Sequence, residues 1–319
     1  MSKWTIDPDF ASFAEQARVP LRDAQVVRDA ALLARENASL PPSSELEIQT
    51  FSIARSGEDE TRLDLRIYRR KDVPDALPVL LYFHGGGFFC GDLASDELQC
   101  MHYALNAACA VVTVSYRLAP ENPFPAALTD CYQVLEFLAQ EGPELKLDRE
   151  LIAVGGSSAG ANLAAVVALL ARDRKGPRLC FQMLLVPALD DRLESESARQ
   201  FTDVPDFARA EAEVMWRWYL GSMPHPISPY AAPARAESLT DLPAAYILCA
   251  GLDPLRDEGL QYAQRLTEAG VAVELHLLPS IPHGFASVPD AEVSKRLLKE
   301  QVEVLRGAFQ VQRKALDDV

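Results

Sequence analysis

Leu151-Ile152-Ala153-Val154-Gly155-Gly156-Ser157-Ser158-Ala159-Gly160-Ala161-Asn162 is the stretch on which the fold turns. Its first four residues are apolar without alternation, as in a strand buried on both faces. A turn of small residues follows, and the apolar spacing over 161–172 predicts a helix. Strand, tight turn and helix are the setting of a G-x-S-x-G motif, here Gly156-x-Ser158-x-Gly160. Bulky neighbours would clash in so tight a turn, so the glycines let the Ser158 hydroxyl stand proud of the sheet. The helix N-terminus beneath it favours developing negative charge. A glycine-rich turn of this kind also suits a phosphate cradle or no chemistry at all. Ser157 is a rival nucleophile, and the spacing favours Ser158.

The same rhythm continues outward in both directions. Short apolar runs at 79–83, 110–114, 151–154, 180–186, 245–250 and 271–278 alternate with helix-length segments at 95–107, 126–139, 161–172, 255–268 and 290–308. That alternation predicts an α/β fold with a mostly parallel central sheet and helices on both faces. Runs at 46–53 and 62–68 alternate apolar and polar residues, the mark of a half-buried antiparallel hairpin at the sheet edge. Phe10, Phe13, Ala14, Ala17 and Val19 predict a short amphipathic helix, with a second after Leu21. Residues 189–243 break the rhythm: they are acidic at first, then proline-rich, with one helix over 208–220 that carries Trp216, Trp218 and Tyr219. A connection that long usually has a role. In an α/β sheet the ligand crevice lies outside the carboxyl ends of the strands. The chain therefore divides into an N-terminal helical cap segment (1–45), a core (46–188 and 244–319) and a cap insertion (189–243).

Composition narrows the function. A net charge of −15 without a Lys/Arg cluster argues against a nucleic-acid partner, and it slows the approach of multiply anionic ligands. No apolar run is long enough for a membrane span. Early acids and Pro8 interrupt any signal-peptide core. The six cysteines stand singly, with no CxxC pair and no metal-ligand spacing. Together these predict a reduced, cytoplasmic protein with no metal.

Phe83-His84-Gly85-Gly86-Gly87-Phe88 also follows a buried strand. Backbone N–H groups unobstructed by side chains can converge there on an oxyanion. Three glycines alone make only a flexible loop; paired with a distant G-x-S-x-G they supply half of an oxyanion hole. Gly85, Gly86 and Ala159 are the expected donors. A serine hydroxyl needs a base, and the base needs a carboxylate to hold its tautomer. Of five histidines, His102 falls within a helix, His276 within a strand and His225 between prolines, whereas His283 follows the last strand at its carboxyl end. Asp253, in Gly251-Leu252-Asp253-Pro254-Leu255-Arg256-Asp257-Glu258-Gly259, follows another strand and precedes a helix. An Asp before Pro at a helix start is also a capping residue, and both roles fit one loop. The expected catalytic set is Ser158, Asp253 and His283, in the chain order of α/β-hydrolases.

These segments, with Tyr116-Arg117-Leu118-Ala119-Pro120-Glu121 and His283-Gly284-Phe285, resemble the hormone-sensitive-lipase-like esterases, the bacterial family IV lipolytic enzymes. The resemblance runs from about residue 78 to the end. Ser157, Ala161 and Asn122 depart from the family pattern, and none of these departures removes a catalytic group. The resemblance implies the α/β-hydrolase fold with a cap, no cofactor, and hydrolysis of small-molecule esters with short to medium acyl groups. Family members are often dimers, so a homodimer is among the expected assemblies. Phe88, Phe89, Trp216 and Trp218 are candidates to line the substrate pocket, with packing in the core as their plainer role. The same triad also serves amide, formamide or lactone hydrolysis, and a noncatalytic small-ligand receptor can share the fold.

Overall fold

The computed structural model describes residues 4–16, 21–36, 44–57 and 61–318. Its centre is one eight-stranded sheet: β1 (Leu46–Ala54), β2 (Arg62–Arg70), β3 (Leu77–Phe83), β4 (Ala110–Val114), β5 (Leu147–Ser157), β6 (Phe181–Leu185), β7 (Ala244–Leu252) and β8 (Val273–Pro282). Their spatial order is β1-β2-β4-β3-β5-β6-β7-β8. β1 and β2 pair antiparallel at one edge, β2 meets β4 antiparallel, and every other pairing is parallel. The edge hairpin and the parallel core are thus as the alternation of residues implied.

The helices in chain order are α1 (Ala11–Ala14), α2 (Ala24–Glu36), α3 (Glu97–Asn106), α4 (Ala126–Glu141), α5 (Ala159–Arg174), α6 (Glu196–Gln200), α7 (Arg209–Leu220), α8 (Arg256–Glu268) and α9 (Glu292–Asp317). Of the expected first helix only the turn of α1 forms, preceded by a 3-10 turn at Pro8–Phe10; Ala17 and Val19 lie outside the described residues. α6 was not foreseen. It is a single turn capped by Ser195, whose side chain accepts the Ala198 N–H, and so short a segment shows no helical period.

Burial follows the pleat. Val79, Leu81 and Phe83 of β3 join one apolar core with α4, α5 and α8, while Leu80 and Tyr82 join a second with α3 and α9. Period-2 side chains of one strand thus feed two cores, which is why the central strands read as unbroken apolar runs. α5 has no wet side: every residue from Ala159 to Ala171 is buried. A helix apolar all round is stable only when enclosed.

Chain direction positions the site. From β3 the chain goes to β4 on one side, while β5 lies on the other. The loops after β3 and β5 therefore part at the carboxyl ends of adjacent strands, the topological switch point where ligands bind in open α/β sheets.

Candidate active site

Ser158 sits in the turn between β5 and α5 with φ 55° and ψ −114°. This is a strained conformation for a residue with a Cβ. The turn is over-determined around it. The Ser158 N–H donates to Leu185 O at 2.8 Å, and its C=O accepts from Asn162 at 3.1 Å. Close packing of α5 on β3 fixes the height of the turn, since a Cβ on Gly160 would collide with the carbonyls of Phe83 and His84.

The other two expected residues arrive from β7 and β8. β8 runs on to Pro282 through a register shift opposite Ala250 and Leu252, which carries His283 to the rim beside Asp253. His283 Nδ1 meets Asp253 Oδ2 at 2.7 Å, and His283 Nε2 meets Ser158 Oγ at 2.8 Å. The imidazole bonds Ser158, not its neighbour Ser157. All three residues are buried, Asp253 to 1% exposure. The second Asp253 oxygen accepts the Leu255 N–H at 2.8 Å, so the capping role and the histidine contact coexist. Burial pulls the His283 proton affinity down, but the charge and hydrogen bond of Asp253, with the charge of Asp206, more than offset it, and the net shift is upward.

Asp257 and Glu258 anchor this corner. Asp257 accepts the Ser197 N–H at 2.7 Å and pairs with Arg256. Glu258 Oε1 accepts the N–H groups of Leu189 at 2.6 Å and Asp190 at 3.3 Å, tying the start of the 189–243 segment to α8. Burial drives the Glu258 carboxyl well above its ordinary value, against those two donors.

One of the three expected donors, in the glycine loop, already has a partner. The Gly85 N–H donates to Asp96 Oδ2 at 3.3 Å, so that amide is engaged away from an oxyanion. Among the described residues no acceptor takes the N–H groups of Gly86, Gly87 or Ala159. Asp96 lies eleven residues beyond the amide it binds, and no local pattern signals such a contact. Burial pushes the Asp96 carboxyl up to about 6, although the Gly85 amide and the Tyr82 hydroxyl pull the other way. Gly86 has φ 104°, and a Cβ there would strike the Cys90 carbonyl, so only glycine serves. His84 packs against Tyr116 with ring centroids 4.2 Å apart, and the Tyr116 hydroxyl donates to His84 O at 2.9 Å. Burial lowers the His84 imidazole to about 4, leaving it neutral. Arg117 binds the fully buried Asp130 through its side chain and its backbone N–H. Arg28 of α2 reaches Phe89 O, Ala119 O and Glu121. The Tyr116–Glu121 segment thus braces the glycine loop.

The four aromatic candidates separate into two pairs. Phe88 is 0% exposed and stacks on Tyr219 at 3.7 Å, with Trp216 5.9 Å away; both belong to the core. Phe89 belongs to the same core at 5% exposure; it meets the half-buried Trp218 edge-on at 4.9 Å, and its ring lies over Gly87. One aromatic went unanticipated: Phe207 stacks on His283 with centroids 4.6 Å apart. It lies outside any periodic segment, so nothing in the sequence flagged it.

Among the described residues, one group could hold a metal ion: Glu274, His276 and Glu300 offer ligand atoms within 4.8 Å of one another. The imidazole already bonds Glu274 Oε1 at 2.9 Å, and the group lies toward the opposite end of β8 from His283. No helix among the described residues is long and apolar enough to cross a membrane.

Comparison with known proteins agrees with this geometry. Residues 80–287 match a family model described as the alpha/beta hydrolase fold. The chain is 42% identical over 251 residues to Esterase LipI of Mycobacterium tuberculosis, covering 76% of this chain and 78% of that protein. It is 39% identical over 247 residues to Carboxylesterase NlhH of the same organism, covering 76% of each. The solved structure of a bacterial heroin esterase superimposes with a TM-score of 0.91 at 39% identity, covering 96% of this chain and 98% of the other. The chain belongs to the alpha/beta hydrolase family, in its hormone-sensitive-lipase-like branch, and is a hydrolytic enzyme.

Proposed function

We propose that the chain is a serine carboxylester hydrolase that acts on short- to medium-chain acyl esters through Ser158, His283 and Asp253. The observation that carries this reading is the unbroken line from carboxylate to imidazole to hydroxyl, 2.7 Å and 2.8 Å. In the first half-reaction Ser158 Oγ attacks the ester carbonyl while His283 Nε2 takes the hydroxyl proton. The imidazolium is stabilised by Asp253 and then gives that proton to the departing alkoxide as the C–O bond breaks. In the second half water attacks the acyl-enzyme, His283 accepts its proton, and the acid leaves as Ser158 regains its hydrogen. Gly86 and Ala159 N–H groups receive the oxyanion, with Gly87 taking the place first expected of Gly85; one such donor lowers the barrier by roughly 3 kcal/mol.

The names of the relatives, an esterase and a carboxylesterase, favour an ester over an amide bond. Residues 189–243, together with the described part of 1–45, form the cap over the core of 46–188 and 244–319. Support comes from the Phe207–His283 stack and from the packing of Trp4 on Phe201 at 5.0 Å. Of the four aromatics, the half-buried Trp218, packed edge-on against Phe89, is the one set to contact the substrate. A cytoplasmic setting is in keeping with cysteines such as Cys109 and Cys249, buried as thiols.

Labelling with a fluorophosphonate followed by peptide mapping tests the reading. Covalent modification of Ser158 is expected. An unlabelled protein would sink the hydrolase mechanism and favour a noncatalytic receptor, and a label on Ser157 would move the nucleophile by one residue.

A further inference from the structure

Pro205-Asp206-Phe207 forms a turn of three residues. The Phe207 N–H donates to Pro205 O at 2.8 Å, and Asp206 between them has φ 66°. A γ-turn with a positive central φ is the rare, strained hand, and Asp is among the few side chains that tolerate it. Such strain persists only where the surroundings enforce it. Here Val204 and Ala208, on either side, are fully buried in a small apolar cluster with Phe201 and Leu252. Leu252 immediately precedes Asp253 in the chain. One cluster therefore fastens both the strand end that delivers Asp253 and the turn that faces His283.

The turn has two points of contact with the histidine loop. The Phe207 ring lies on the imidazole at 4.6 Å with 29° between planes. The Asp206 carboxylate sits so close to Gly284 that a Cβ there would collide with it. These contacts supply what the hydrogen bonds of His283 lack. Bonds at Nδ1 and Nε2 fix the two nitrogens but resist weakly a roll of the ring about the line joining them, and such a roll turns the Nε2 lone pair away from Ser158 Oγ. A flat ring pressed on one face opposes that roll and also excludes water from the imidazole.

We propose that Phe207 is a positioning residue for the hydrolytic reaction, holding the His283 ring in the plane shared by Asp253 Oδ2 and Ser158 Oγ, with Asp206 as the charged half of the same device. The proposal rests on the serine-hydrolase reading given above. The charged groups acting on His283 are Asp253 from the loop after β7 and Asp206 from this turn; both favour its protonated form.

The test compares Phe207→Leu, Phe207→Tyr and Asp206→Asn with the native chain, using p-nitrophenyl acetate turnover across the acid limb, fluorophosphonate labelling rate and thermal midpoint. Leucine keeps apolar volume at the site and loses the planar stack. Its kcat and labelling rate are expected to fall roughly ten- to a hundredfold, the scale of a small misplacement of a reacting group, with KM changed far less. Tyrosine should restore most of that loss. Asp206→Asn should move the acid-limb midpoint to lower pH, because a negative charge that favours the imidazolium is gone. Native kcat and labelling rate in Phe207→Leu would overturn the proposal. So would a change confined to KM, which would make Phe207 a substrate contact, or a loss of activity that merely tracks a lowered thermal midpoint. Failure of the native protein to label at Ser158 would instead sink the underlying mechanism, so the two failures are distinguishable.

Discussion

The rim of the sheet and the segment above it hold their residues by different means. At the rim, Ser158, Asp253 and His283 are fixed by directional hydrogen bonds of 2.7 to 2.8 Å, anchored to strand ends that cannot shift without disturbing the sheet. Over the rim, Phe207, Trp218 and Phe201 are held by ring contacts of 4.6 to 5.0 Å. Ring contacts are favourable over a range of offsets, whereas a hydrogen bond weakens steeply once misaligned. The arrangement of Ser158, His283 and Asp253 thus rests on directional bonds, and the rings over the rim add a second restraint of another kind, Phe207 on the face of His283 and Trp218 against Phe89.

The contrast breaks most sharply at the nucleophile. Ser158→Ala should lower kcat on the order of a million-fold, as loss of a triad member does elsewhere, while Ser157→Ala should retain most turnover of p-nitrophenyl acetate. Equal losses in the two would mean that the turn, not the hydroxyl, carries the effect. Asp253→Asn ranks next. It preserves shape but favours the wrong imidazole tautomer, and a loss of roughly 10⁴-fold in kcat is expected; a loss below tenfold would remove Asp253 from the mechanism.

Effects over the rim should be smaller and of another kind. Trp218→Ala is expected to alter KM for longer acyl esters more than for acetate, by about tenfold, the low end of what one methylene is worth in an apolar pocket. An equal change for every chain length would exclude Trp218 from the acyl site. The pH profile sharpens the rim itself: because the net shift on His283 is upward, the acid limb of kcat/KM should have its midpoint above the ordinary imidazole value of 6.5, and a midpoint below it would contradict the Asp253 contact.

The smallest effect concerns Glu258. Its folded-state pKa is raised, so its contribution to stability is fully present below the unfolded carboxylate value and is lost as pH rises toward the folded one. Glu258→Gln mimics the protonated acid. Thermal midpoints in acid should change little, while near neutrality the variant should equal or exceed the native protein. A variant less stable than the native chain at neutral pH would show that the ionised form is the one the fold prefers.

How far the sequence told this in advance depended on the range of the signal. Strands such as 110–114 are legible because both faces are buried, and the turn at Ser158 because its spacing is local. His283 was legible by elimination, although the register shift that brings β8 to Asp253 left no trace in the residues. The engagement of Gly85 by Asp96 was hidden, because a backbone N–H carries no label saying which carboxylate will reach it. Phe207 was hidden as well: its neighbours Val204 and Ala208 are buried with Leu252 while its own ring packs on His283 and the main core, contacts that only the assembled fold creates. Phe88 and Trp216 pack in the core, the plainer of the two roles open to them, since an aromatic beside a glycine loop looks the same whether it faces ligand or core.

The enclosure of α5 has a consequence for how such a protein can change. Every residue from Ala159 to Ala171 is buried, so the helix has little room for added volume near the serine at its head, although Ala168 and Ala171 toward its far end line a surface pocket. Ala159, Ala161 and Ala164 in its first turns are fully buried, so a larger side chain there would press on neighbouring backbone beside Ser158. Enlarging one of them should detune turnover before it unfolds the chain, so new specificities are reached more readily through the segment above the sheet than through the helix beneath the nucleophile.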